Sequence, residues 1–265
     1  MSTLHILAIG DVVGPSALDC IASGLSALRD ECRADLVIVN AENASEGNGL
    51  DAASAKQLLS SGADVLTTGN HVWKKRDLLP LLSDSERILR PANYPAACPG
   101  FGYTVYSAMG YRFLVINVLG NIYMDTALES PFAVIDRILA REEGRYDFAI
   151  LDIHAEATSE KLALARCFDG RIHVVFGTHT HVPTADLQIL PRGTGYITDL
   201  GMTGPENSIL GVQSDIIIEK LRTQMPVRFQ IAAGDIILGG ACFALDTASG
   251  RIVGTEQITR RYRAR

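Results

Sequence analysis

The stretch Val174-Val-Phe-Gly-Thr-His-Thr-His181 decides the fold class. Val174–Gly177 is a short apolar run rich in β-branched residues, as expected of a buried strand. It breaks at Thr178 into a polar segment with two imidazoles. The same change, from aliphatic run to ionisable or amide side chain, recurs at four other places. Leu4–Gly10 ends in Asp11, and Leu36–Val39 runs into Asn40-Ala-Glu-Asn43. Val65–Thr68 ends in Gly69-Asn70-His71, and Phe148–Ile153 ends in His154. Amphipathic segments lie between these runs: Pro15–Glu31, Ala52–Ser61, a helix near Lys75–Leu82, Pro131–Glu142 and a helix near Ser159–Phe168. Continuously apolar strands alternating with helices predict a sheet covered on its faces.

The remaining segments add an antiparallel component. Pro91, Pro95, Pro99 and Gly100 mark a loop. Tyr103–Ser107 and Arg112–Val118 flank a short Ala-Met-Gly turn and read as a hairpin. Short strands are expected at Leu187–Leu190, Tyr196–Asp199, Arg228–Ala232, Ile236–Leu245 and Arg251–Gln257, with a helix near Gly211–Thr223. The expected fold is therefore a mixed α/β (α+β) sandwich. No linker, repeat or low-complexity segment divides the chain, so residues 1–265 read as one domain.

Composition narrows the function. The 24 Lys and Arg against 30 Asp and Glu leave a net charge of −6, which disfavours gripping long nucleic acid through a general positive field. Arg260, Arg261, Arg263 and Arg265 cluster near the C-terminus and read as a frayed, solvated end. Five scattered cysteines, with no CxxC spacing, fit reduced and mostly buried thiols in a cytoplasmic protein. No apolar run approaches the ~18 residues of a membrane span, so no membrane partner is expected. The N-terminal stretch lacks the cationic start of a signal peptide.

The ionisable residues at the strand ends are the informative feature, because open α/β sheets bind ligands at that edge. Taken singly, each has a bland reading. Asp11 could cap a helix or turn, and Asn43 and Asn70 could form turns. Glu42 could be a solvated carboxylate, and His71 or His154 a hydrogen-bonded structural histidine. Taken together they weaken those readings. His71, His154, His179 and His181 are four of the six histidines, and His179-x-His181 can direct two rings at one centre. His5 and His173 stand at strand beginnings and read as structural. An oxygen and imidazole donor set without cysteine suits Mn, Fe, Zn or Ni rather than Ca or an iron–sulfur cluster. A two-metal site of this kind can clamp both the attacked and the leaving oxygen of a phosphoryl group.

At these residues the sequence resembles the calcineurin-like metallophosphoesterases. More narrowly, it is similar to the bacterial YmdB-type 2′,3′-cyclic-nucleotide phosphodiesterases. The stretches that carry the resemblance are Ile9-Gly-Asp-Val-Val-Gly14, Asn40-Ala-Glu-Asn43, Thr68-Gly-Asn-His-Val-Trp73, Arg90-Pro-Ala-Asn-Tyr-Pro95, Asp152-Ile-His-Ala-Glu-Ala-Thr158, Gly177-Thr-His-Thr-His-Val-Pro-Thr-Ala-Asp186 and Gly201-Met-Thr-Gly-Pro205. They run in the family's order from residue 9 to about residue 211. The broad superfamily opens with Asp-x-His and carries Asp where Glu42 stands; this chain departs at both points, as the narrower family does.

The resemblance implies two mixed sheets flanked by helices. It places Asp11, Glu42, Asn43 and His181 on one metal, and Asn70, His154 and His179 on a second, with Glu42 bridging. His71 is implied as the catalytic residue that assists the leaving group, while a metal-bridging hydroxide attacks phosphorus. Iron or manganese is favoured, with zinc, nickel, cobalt or magnesium as alternatives. The implied substrate is a small phosphoester, plausibly a 2′,3′-cyclic nucleotide. Rivals are a phosphomonoesterase or protein phosphatase with the same site, and a non-enzymatic metal-bound nucleotide sensor. Arg90 and Tyr94 could touch a phosphate or base, but a proline-stiffened loop explains them equally well. Trp73 reads as packing, Gly201–Pro205 receives no role, and the oligomeric state stays open, a homo-oligomer included.

Overall fold

A computed structural model describes residues 3–125 and 128–263. The chain begins β1 (Thr3–Ile9), β2 (Asp11–Val12), α1 (Gly14–Glu31), β3 (Leu36–Asn40), α2 (Ala52–Ser60), β4 (Val65–Thr67), α3 (Leu78–Asp84) and β5 (Ile88–Leu89). It continues with β6 (Tyr103–Ala108), β7 (Tyr111–Leu119), α4 (Pro131–Arg141), β8 (Phe148–His154), α5 (Thr158–Cys167), β9 (Val174–Thr178), β10 (Gln188–Ile189) and β11 (Gly195–Ile197). It closes with β12 (Met202–Pro205), α6 (Ser214–Thr223), β13 (Ile236–Asp246) and β14 (Arg251–Tyr262).

Two mixed sheets result, as expected. The first runs β2-β12-β13-β1-β3-β4-β5 with β14 beside β13; the second runs β10-β11-β9-β8-β7-β6. β1, β3, β4 and β5 are mutually parallel, as are β7, β8, β9 and β11. β13 joins the first sheet antiparallel to β1, and β6 and β7 form the hairpin.

Side-chain alternation explains why the parallel strands are apolar throughout. Leu7, Ile9, Val37, Val39 and Leu66 face outward and pack on Ile21, Leu25 and Leu28 of α1 and Leu58 of α2. Their neighbours Ile6, Ala8, Ile38 and Val65 face the second sheet, against Val115, Ile150, Val174 and Phe176. On the far side of that sheet Leu114, Ile116, Leu151 and Val175 meet Val134, Ile135 and Ile138 of α4 and Leu164 of α5. The order is helix, sheet, sheet, helix. Each fully buried aliphatic side chain contributes roughly 1.5–3 kcal/mol. No strand in the two parallel sets has a wet face, so ionisable residues gather at the strand ends, with Asp152 inside β8 a buried exception.

Some expectations need correction. Arg228–Ala232 is not a strand; Ile231 makes an isolated bridge to Val212. Without a second partner strand, local β propensity does not make a ladder. The helix expected near Lys75 begins at Leu78, after turns at Lys75 and Arg76. Two-residue β5 escapes sequence reading because it is set by pairing with β4. The basic C-terminus is not frayed: β14 reaches Tyr262, Arg260 pairs with Glu31, and Arg261 pairs with Glu206 at 2.6 Å. Arg265 lies outside the described residues. All five cysteines are free, but only Cys20 and Cys242 are buried, and Cys167 is exposed. No helix among the described residues is long and apolar enough to cross a membrane.

Candidate metal centre

Parallel pairing brings the strand ends together. Ile9 pairs with Val39, Asn40 with Thr67, and Ile153 with Gly177, so the carboxyl ends of β1, β3 and β4 stand in one row and those of β8 and β9 in another. The two rows face each other across the inner apolar layer. The first sheet delivers the carboxylates and amides, Asp11, Glu42, Asn43 and Asn70, along with His71. The second delivers the imidazoles, His154, His179 and His181.

All eight residues named from the sequence converge. His154 Nε2 lies 3.1 Å from Asn70 Oδ1 and 3.1 Å from His179 Nδ1. His154 Nε2 is 3.8 Å from Glu42 Oε1, and its Nδ1 is 3.8 Å from Asp11 Oδ1. His181 Nε2 is 3.7 Å from Asp11 Oδ1 and 3.2 Å from Asn43 Nδ2. His71 Nδ1 is 2.8 Å from Asn43 Oδ1. Oxygen ligation by Asn43 toward His181 requires the amide to be turned over, exchanging its oxygen and nitrogen. Glu42 accepts from the backbone N–H of Gly69 and of His71, which fixes its carboxylate beneath the loop carrying Asn70. Gly69 is required there, since a Cβ would lie 2.1 Å from the His154 ring.

The electrostatics are unfavourable for an empty site. Burial pushes the Asp11 and Glu42 carboxyls upward, Glu42 strongly. Burial pushes His154 well down and His179 to about 4, and lowers His71 as well. Each shift is toward the neutral form, as expected where charges sit in low dielectric without adequate partners. The backbone is strained too: His179 has φ +98° and His181 has φ +64°. Left-handed non-glycine residues cost about 1–3 kcal/mol each and persist only where their surroundings over-determine them.

Outer groups fix the ring orientations. Asp152 is fully buried and accepts from Thr67 Oγ1, Asn40 Nδ2 and Thr178 Oγ1. Burial still pushes it up to about 7. With the Thr178 hydroxyl proton given to Asp152, Thr178 Oγ1 accepts from His154 Nδ1–H at 2.9 Å. His154 Nε2 is then a bare lone pair. His179 Nε2 lies 3.3 Å from Glu156 Oε2, which places its proton on that side and leaves Nδ1 facing His154. Lone pairs of His154 Nε2, His179 Nδ1 and Asn70 Oδ1 therefore point at one another. Asp11 Oδ1 is buried with no hydrogen-bond partner, while Asp11 Oδ2 accepts from the His179 N–H.

Among the described residues no three His, Cys, Asp or Glu side chains already form a closed ligand set. The donors nonetheless fit cations. Converging lone pairs and an orphaned carboxylate oxygen are stabilised by a positive charge between them. Metal bonds of about 2.0–2.2 Å put neighbouring donors roughly 3 Å apart, the spacing found at His154.

Residues the sequence left open find packing roles. Trp73 meets Tyr94 edge-to-face, with ring centroids 5.2 Å apart, and both pack on the outer apolar layer of the first sheet. The Arg90 guanidinium donates to the Pro91 and Pro99 carbonyls and so staples its own loop. Arg90 and Tyr94 also line a cavity of about 730 Å³. Met202–Pro205 is the strand β12, and Met202 N–H donates to the His181 carbonyl. His173 is structural as expected, its Nδ1 accepting from the Ala149 N–H, and the His5 backbone N–H donates to Asp35. Sequence reading gave no role to Asp152, Thr178, Glu156, Lys161 or Asp199. Asp152 does carry a signal, a charge inside an apolar strand. So does Lys161, which shares the buried face of Leu164 and Ala165.

The comparisons agree with this architecture. The chain is 42% identical over 255 residues to a Bacillus subtilis protein named 2′,3′-cyclic-nucleotide 2′-phosphodiesterase, covering 96% of each. It superposes on a hypothetical protein from Thermus thermophilus with a TM-score of 0.91 at 40% identity, covering 97% of this chain and 99% of the other. It superposes on a structure described as a novel phosphatase from Mycoplasma pneumoniae with a TM-score of 0.92 at 33% identity, covering 98% and 94%. The model of the YmdB-like protein family matches residues 7–258, and the chain belongs to that family.

Proposed function

We propose that this chain, residues 1–265 acting as one domain, is a metal-dependent phosphodiesterase of small phosphoesters. The substrate class we assign is the 2′,3′-cyclic nucleotides. The observation that carries the metal half is the set of lone pairs turned inward at His154, His179 and Asn70 beside the unpartnered Asp11 Oδ1. The substrate half draws on the name of the Bacillus subtilis relative.

In this reading Asp11, Glu42, Asn43 and His181 would hold one cation and Asn70, His154 and His179 the other, with Glu42 as the residue shared between them. Iron or manganese suits such a donor set. Two cations bound there would activate water near neutral pH and offset the phosphate's charge. The chain's own residues supply the rest. Thr178 and Asp152 hold the His154 proton on Nδ1, and Glu156 holds that of His179 on Nε2. With the Asn43 amide turned so that its oxygen faces the cation, Asn43 Nδ2 donates to His71 Nδ1, which orients the ring and places the proton on Nε2, facing the departing ribose oxygen. The cations offset the overall negative charge locally, so an acidic protein can bind an anion.

The test is hydrolysis of 2′,3′-cAMP beside a panel of phosphomonoesters, with metal content measured on the same sample. Preferential opening of the cyclic diester is expected. Preference for monoesters would favour the phosphatase reading that the name of the Mycoplasma pneumoniae structure suggests. Metal binding with no hydrolysis of either would favour a sensor.

A further inference from the structure

We infer that the buried Lys161–Asp199 ion pair is a positioning device that grips Thr180 and thereby holds His179 and His181 with both rings turned toward the centre. The inference rests on the metal reading above. Lys161 Nζ lies 2.8 Å from Asp199 Oδ2, and both side chains are fully buried. The same Oδ2 accepts from Thr180 Oγ1 at 2.8 Å and from Thr180 N–H at 3.1 Å. Asp199 Oδ1 accepts from Gly201 N–H at 2.9 Å. One carboxylate thus binds the loop after β9 to the loop before β12.

The grip falls at the residue between two left-handed histidines. Such a backbone holds only if it is tied on several sides. His179 is tied through its N–H to Asp11, and His181 through its carbonyl to Met202 N–H. Thr180 is tied to Asp199. The end of β9 is pressed onto the Lys161 stem, because a Cβ on Gly177 would lie 2.8 Å from Lys161 Cδ.

Stability alone is a poor reason for this pair, since apolar residues of similar volume commonly do as well in a buried position. An apolar pair offers no acceptor to the loop. Asp199 does, and Lys161 Nζ donates to the same oxygen that receives Thr180. Lys161 and Asp199 act through the histidines and touch no reacting atom.

Two variants test this. Thr180→Val removes one bond of the grip and keeps the shape. Lys161→Met/Asp199→Leu removes the pair and its acceptor without leaving one charge buried alone. Manganese is titrated calorimetrically into metal-free protein, and backbone hydrogen exchange is followed across residues 178–181. Affinity is expected to fall about 10–100-fold in both variants, the range for lost outer partners of metal ligands. Exchange at Thr180 should quicken in the metal-free protein. Wild-type affinity in both variants, or unchanged protection of Thr180, would overturn the positioning role. A wild-type protein that binds no manganese would count against the metal reading, while the exchange measurement would still decide the grip. If the double variant does not fold, Thr180→Val carries both readouts.

Discussion

The two ends of the same parallel strands carry the same residue types in opposite states. At the amino end Asp64 accepts from Val37 N–H and the Tyr106 hydroxyl, and pairs with Arg29 at 3.1 Å. Asp35 accepts from His5 N–H, and His173 from Ala149 N–H. Every one of these groups has a partner. At the carboxyl end Asp11 Oδ1 has none, imidazole lone pairs face one another, and two histidines sit in left-handed backbone. One edge is built for stability. The other carries unpartnered donors that the proposed cations would complete, and such local frustration is a mark of functional sites.

The largest effect that separates the edges is expected from His154→Ala. It should lose bound metal and at least ~10⁴-fold in turnover, because water activation and charge neutralisation go together. His71→Ala is expected to lose about 10²–10⁴-fold, the range for general acid catalysis, while keeping its metal. Equal metal loss in both, measured by elemental analysis, would reject the two roles.

The opposite edge should answer in stability alone. Asp64→Ala is expected to cost about 1–3 kcal/mol in denaturant unfolding, since it strands buried donors, and to leave manganese binding unchanged. Asp11→Asn should do the reverse. Metal-free protein should melt no lower than wild type, because a buried carboxyl with an unpartnered oxygen is replaced by a neutral amide of the same shape, and manganese affinity should collapse. The smallest expected effect is at His173. Burial holds its folded-state pKa below the ordinary 6.5, so the unfolded chain binds the extra proton first. Its contribution to stability is complete above 6.5 and falls as pH drops from there toward the folded-state value. His173→Gln should flatten that part of the stability–pH curve relative to wild type.

The comparison also shows which parts of the molecule were legible in the sequence. The parallel strands could be read because each is buried on both faces and so is mostly apolar until it ends, Asn117 and Asp152 being buried exceptions. That rule exposed Asp11, Glu42, Asn70, His154 and His179 at once. It could not expose what is set by a partner distant in sequence. β5 exists because β4 lies beside it, Arg228–Ala232 is no strand because it has no second neighbour, and Arg260 is ordered by Glu31. Lys161 and Asp199 stand 38 residues apart, and their bond is invisible until β11 pairs with β9 and brings Asp199 to α5. The donors could be named from the sequence. The groups that aim them could not.

The most direct test is metal analysis of freshly purified protein combined with 2′,3′-cAMP hydrolysis before chelation, after chelation and after restoring manganese or iron. The expected result is two transition-metal ions per chain, loss of hydrolysis with the ions and its return on readdition. Full activity in protein stripped of metal would contradict the account.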